Sequence, residues 1–192
     1  MLFHYGHALN ELGELTQDPK QYELAINTLI PLYNKLPTDM SIVLELAIAH
    51  IGYGEFSSNV AHLERAITLL EMLSKRHQDD DTVLVQLGYA KLLLAELIED
   101  PSTQPRAQKL KSEAESAFLT AAQSGNGQAC YYLACLYSIA GHLDLALEYL
   151  LRTEQMEGLP ATEDIEHDEW LCNLGGYDPF EQFLAFRRGD SL

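Results

Sequence analysis

The chain has 192 residues, 47% of them hydrophobic and 21% charged, with 29 acidic against 12 basic side chains and a net charge of −17. That is apolar material enough for one domain or one short repeat array. The acidity argues against a DNA- or RNA-binding surface and against docking on anionic membranes, and three cysteines are too few, and odd in number, for a disulfide scaffold.

Met1–His7 has no basic region followed by an apolar run, so it does not read as a secretory signal. The longest apolar stretches, such as Leu92–Ala95, fall far short of the roughly 18 residues of a membrane span. A soluble cytoplasmic protein is the expectation. Met1 also lies so close to the first periodic segment that the chain could be part of a longer array.

Leu and Ala total 53 residues and Val and Ile only 13, a balance that favours helix over strand. Helices are predicted over 2–16, 19–36, 40–56, 59–77, 81–99, 105–124, 127–140, 143–156, 165–175 and 179–188. Leu63, Ile67, Leu70 and Leu73 form one stripe, and Leu84, Leu87, Lys91 and Leu94 nearly another, with Lys91 the exception. Asp18-Pro19 and Asp178-Pro179 each read as an N-cap followed by proline at the first helical position. Glu181 completes a capping-box-like pattern at the second of these. Ser57–Asn59, Asp79–Asp81 and Gly125–Gly127 punctuate the periodic segments. The class is all-α.

Paired helices of similar length call for a repeat search. Gly6, Ala47, Gly88 and Ala134 are separated by 41, 41 and 46 residues, and Ala25, Ala66 and Ala107 again by 41. Small residues have a reason to recur, because two antiparallel helices approach closely only where the crossing residue is Gly or Ala. Ala114, seven residues after Ala107, serves equally well in the third unit. The five extra residues of that unit fall in the polar loop 99–105.

In the fourth unit Leu133, Ala134, Tyr137, Gly141, Leu143 and Ala146 fall at the spacing of large, small, aromatic, turn-glycine, large and small residues. This segment resembles a tetratricopeptide repeat (TPR), with Ala134 and Ala146 separated by 12 as in that family. The first three units depart by seven extra residues, which reads as longer helices in a similar hairpin, and Pro37 stands where the family's terminal proline would. The segments Asp164–Leu171 and Tyr177–Leu184 resemble the tail that closes many bacterial arrays. There Trp170, Leu171, Phe180, Phe183 and Leu184 could cover the apolar face of the last repeat. The resemblance implies a single domain over 1–192, a right-handed superhelical array of antiparallel helix pairs. Its repeats run over about 1–38, 39–79, 80–126 and 127–158, followed by a capping helix pair in 159–192.

Enzyme signatures are missing from the sequence. Gly-x-Gly occurs at 52–54 and 125–127 without a preceding strand or a longer fingerprint, and there is no nucleophile elbow. No catalytic residue, cofactor or metal is assigned. His4, His7 and Glu11 share a helix face and could hold a divalent ion, though a terminal helix with exposed polar residues explains them as well. The carboxylates Glu163, Asp164, Glu166, Asp168 and Glu169 suit a solvated helix N-terminus better than a calcium loop. Cys130 and Cys135, five apart on one helix, read as buried small hydrophobes.

TPR arrays bind peptides on a concave surface lined by their first helices. The resemblance places eight residues there: Phe3, His7, Leu44, Ile48, Val85, Tyr89, Tyr131 and Cys135. This lining is apolar and lacks Lys, Arg and Asn, which excludes the co-chaperone clamp for acidic C-termini. The positions either anchor an apolar partner segment or pack inside the superhelix; a neighbouring copy filling the groove would give a homo-oligomer. The expected function is a non-enzymatic adaptor or scaffold for a protein or peptide partner, with an acidic TPR-type secretion chaperone as the alternative. Residues 144–192 carry 12 acids against 3 bases, net −9. A partner that joins a hydrophobic anchor to basic flanks would suit that charge, and so would a purely solubilising end.

Overall fold

A computed structural model describes residues 1–98, 100, 102–156 and 158–189. Helix makes up 81% of the described residues, and no strand occurs among them. The order is α1 (Leu2–Thr16), α2 (Pro19–Lys35), α3 (Met40–Phe56), α4 (Val60–Ser74), α5 (Asp81–Leu97), α6 (Gln104–Gln123), α7 (Gly127–Ile139), α8 (Leu143–Gln155), α9 (Thr162–His167), a 3-10 helix (Glu169–Leu174) and α10 (Asp178–Arg188). Glu99, the predicted end of the fifth helix, and Pro101 of the polar loop lie outside the described residues.

Side chains cap five of the α-helix starts. Asp18, Asp39, Asn59, Asp80 and Asn126 each accept a hydrogen bond from a backbone N–H two or three residues on, at 3.0–3.2 Å. The final helix differs from expectation. Tyr177 is its N-cap and Asp178 lies within the first turn, while the Glu181 carboxylate reaches back to the N–H of Gly176, 2.9 Å away. The predicted helix 165–175 is also broken. Asp168 adopts an extended conformation between α9 and the 3-10 helix, where its carboxylate caps the N–H of Trp170 at 2.8 Å.

Contacts group the chain into two compact units, Met1–Ala117 and Phe118–Leu192, and the division falls inside α6. In the first unit consecutive helices pack on one another, α1 on α2, α2 on α3, α3 on α4 and α4 on α5. Helix α1 also touches α3, and α3 touches α5, so the first helices of successive hairpins form a layer. The aligned small residues are all buried, Ala25, Ala47 and Ala66 fully so. A Cβ on Gly6 would come within 2.7 Å of Leu29, so any larger residue at the first crossing would force that buried side chain to shift. Both Ala107 and Ala114 are buried, so α6 offers two small residues to the core.

A second close approach recurs in register. Gly13 faces the ring of Tyr22 and Gly54 faces Leu63, each with 2.8 Å left for a Cβ; both pairs are offset by 41 residues. The Tyr22 ring also sits against Gly52 and stacks on Phe56. Lys91, the break in the leucine stripe of α5, is buried between Glu71 of α4 and Glu113 of α6, at 3.0 and 2.7 Å.

In the second unit α7 packs on α8, and the 3-10 helix packs on α7. Leu171, Phe180, Phe183 and Leu184 are buried as the closing segment requires, whereas Trp170 remains partly exposed with its ring edge-on to Tyr132.

Candidate functional site

Six of the eight expected lining residues stand on the α1–α3–α5 layer of the first unit: Phe3 and His7, Leu44 and Ile48, Val85 and Tyr89. Residues four apart on a helix share a face. Phe3, Leu44 and Tyr89 are half-buried against the main core cluster, and Ile48 is half-buried too. Each therefore presents part of an apolar side chain while being held from behind. His7 is more open, with Nδ1 2.9 Å from Glu45 Oε1 and Nε2 3.5 Å from Glu11. Asn10 supports the same carboxylate, its amide N–H groups reaching Glu45 Oε2 and the Glu45 carbonyl at 2.9 and 3.0 Å.

Val85 takes the packed alternative. It is 1% exposed and belongs to the core. Helix α5 is apolar on most of its circumference, with Val83, Val85, Leu87, Leu92 and Leu94 all buried, so helical spacing does not single out an open face.

The two residues of the second unit are also spoken for. The hydroxyl of Tyr131 donates to Asp168 Oδ2 at 2.6 Å, and Cys135 is fully buried, with Sγ 3.9 Å from the same oxygen. Asn173 donates to the Ser138 carbonyl at 2.9 Å. The chain's own closing segment therefore covers this face of α7, and Cys135 offers nothing to a partner. Burial, reinforced by the Asp168 charge, holds the Cys135 thiol well above its usual range, which makes it a poor nucleophile. Cys130 is likewise buried and its thiol raised by burial.

No group of three or more His, Cys, Asp or Glu side chains arranged to hold a metal occurs among the described residues. His4 does not join His7 and Glu11; its ring packs edge-on to Phe3. A different histidine pair is closely coupled. His50 of α3, 8% exposed, and His62 of α4 bring their Nδ1 atoms to 3.0 Å, beneath the ring of Tyr53. Burial, followed by the influence of His62 and Arg65, lowers His50 to about 4.

Sequence reasoning missed a third set. Glu14, Glu55 and Glu96 are spaced by 41 residues and occupy the last turns of α1, α3 and α5. They lie at fixed offsets from the lining residues, with Glu55 eleven positions after Leu44 and Glu96 eleven after Val85. Glu55 and Glu96, with Gly54, Leu63, Leu93 and Leu97, line a cavity of about 280 Å³. The Tyr89 hydroxyl donates to Glu55 Oε1 at 2.9 Å. Burial raises the Glu55 carboxyl against the opposing effect of that bond, and the Glu14 charge raises it further. Glu96 pairs with Lys111 at 2.9 Å. Applying the 41-residue period to acidic residues, as well as to small ones, would have found this set.

Comparison of the chain with protein-family models, with curated proteins and with solved structures finds no match.

Proposed function

We propose that the chain is a TPR-like array acting without catalysis, an adaptor that binds a partner polypeptide on the α1–α3–α5 layer. One observation carries this reading: residues at a constant 41-residue spacing converge on neighbouring first helices. There Phe3, Leu44, Ile48 and Tyr89 present half-buried apolar surface. Anchors of this kind cost little to order, because their backs are already packed. The fourth hairpin contributes no docking surface through Tyr131 or Cys135, since the closing segment occupies them. The partner therefore lies along the first three hairpins.

Site-specific photocrosslinking tests this. A benzophenone side chain in place of Ile48 should crosslink to a polypeptide in a cell extract, while one in place of Thr68, exposed on α4, should not. Equal crosslinking from the two positions, or none from Ile48, refutes the proposal.

A further inference from the structure

The cavity at the ends of α3 and α5 has a composition that neither a core nor an ordinary surface explains. Leu63, Leu93 and Leu97 form apolar walls, and two carboxylates, Glu55 and Glu96, stand among them. Glu96 is neutralised by Lys111. Glu55 is not: among the described residues no cation lies within ion-pair distance of it, and its side chain accepts only a bond from the neutral phenol of Tyr89. Its position adds to the cost, because a carboxylate in the last turn of a helix faces the negative end of the helix dipole. A glutamate recurs at this last-turn position as Glu14 and Glu96, so the placement belongs to the repeat, while the lack of a counter-charge is shown at Glu55.

We infer that this cavity receives a lysine or arginine side chain of an extended partner segment, with its aliphatic stem against the leucines and its cation at Glu55. Long basic side chains combine an apolar stem with a charged tip, which matches these walls. The volume suits one such side chain and is small for a drug-sized ligand. The charge suits it too, since the chain carries −17 overall and a cation here meets an unpaired carboxylate. This assignment rests on the reading that the α1–α3–α5 layer binds a partner, and it supplies that partner's chemistry: an apolar anchor beside a basic residue.

The probe is a random peptide library of roughly 12 residues displayed on phage and selected on the full chain. Recovered peptides should be enriched in Arg or Lys next to apolar residues. In the best arginine-containing peptide, citrulline at that arginine keeps the shape, removes the charge, and should weaken binding about tenfold. Glu55→Gln should weaken the parent peptide by the same factor, and the two changes together should cost no more than either alone. Glu55→Gln removes a charge that burial disfavours, so the variant folds; the citrulline arm leaves the protein unaltered in any case. Peptides without basic enrichment that lose binding to Ile48→Glu overturn the cavity assignment and leave the docking face standing. Additive effects of citrulline and Glu55→Gln also overturn it. Recovery of no peptide, or of peptides indifferent to both variants, overturns the assignment and the docking face together.

Discussion

The His50–His62 contact makes a quantitative prediction about acid. Both rings are held within one hairpin, and a 3.0 Å Nδ1–Nδ1 separation allows a hydrogen bond only while at least one ring is neutral. In the folded chain His50 is lowered from 6.5 to about 4, chiefly by burial. Between these values the unfolded chain binds a proton that the folded chain does not, so stability rises with pH across the window and is lost as pH falls. Moving from pH 7.5 to pH 5.0 should therefore cost about 2 kcal/mol from His50 alone. His62 is lowered as well, with Glu23 opposing the effect of burial, and it adds to the loss. Urea denaturation at the two pH values, on the parent chain and on His50→Gln, isolates the contribution of His50. Carboxylates and the remaining histidines titrate in both proteins and largely cancel in the difference. The parent should lose about 2 kcal/mol more than the variant over this interval. Equal losses, within the roughly 0.5 kcal/mol that denaturation resolves, would refute the claim that His50 is buried neutral.

Three further substitutions probe the packing. Alanine in place of Gly52 puts a Cβ into the Tyr22 ring; it should destabilise by about 2 kcal/mol despite the better helix propensity of Ala. Most of that loss should vanish in a Tyr22→Leu background, as thermal melting of the double variant would show. Lys91→Ala removes both the buried stem and the cation and should cost about 3 kcal/mol, whereas Lys91→Met keeps the stem, loses only the cation facing two partly exposed carboxylates, and should cost about 1 kcal/mol. Equal urea midpoints for the two would show that the stem of Lys91 contributes nothing. Asp168→Ala strips both the Trp170 cap and the acceptor for Tyr131, and should cost about 2 kcal/mol. Amide exchange should then accelerate in the 3-10 helix and α7, but not in α1–α4; uniform acceleration would contradict local docking of the closing segment.

The helical class and most helix starts were legible because their causes are local. Asp39, Asp80 and Asn126 cap helices through bonds to residues three positions away, and such bonds leave a mark in any short window of sequence. The crossings at Gly6 and Ala47 were legible because a steric requirement recurs at a fixed interval. What escaped depends on partners distant in the chain. Asp168 breaks a predicted helix, yet its other partner, Tyr131, lies 37 residues earlier. Lys91 looked like a flaw in a leucine stripe until Glu113 of α6 supplied its counter-charge. Whether Val85 and Cys135 were open or packed was illegible for a related reason: on helices that are apolar nearly all round, periodicity cannot say which face remains open.

The acidic residues show how a repeat can carry a cost that a single helix would shed. Glu14, Glu55 and Glu96 each sit where the helix dipole disfavours a carboxylate, and the last turns of α1, α3 and α5 contain no basic residue to offset them. Tyr22, packed against Gly13 and Gly52, has its phenol pushed up to about 12 by burial, with Glu14 and Glu55 both adding to the shift. Their charges therefore act on a common region, where that of Glu14 adds to the cost at Glu55. Surface solubility does not require this placement, because the same charges on outward-facing mid-helix positions would serve as well at lower expense. A cation arriving at Glu55 adds an attraction that opposes the effect of the Glu14 charge there. The unfavourable placement of Glu55 in the free chain is then offset by the partner's charge, and a partner with no positive charge supplies no such offset.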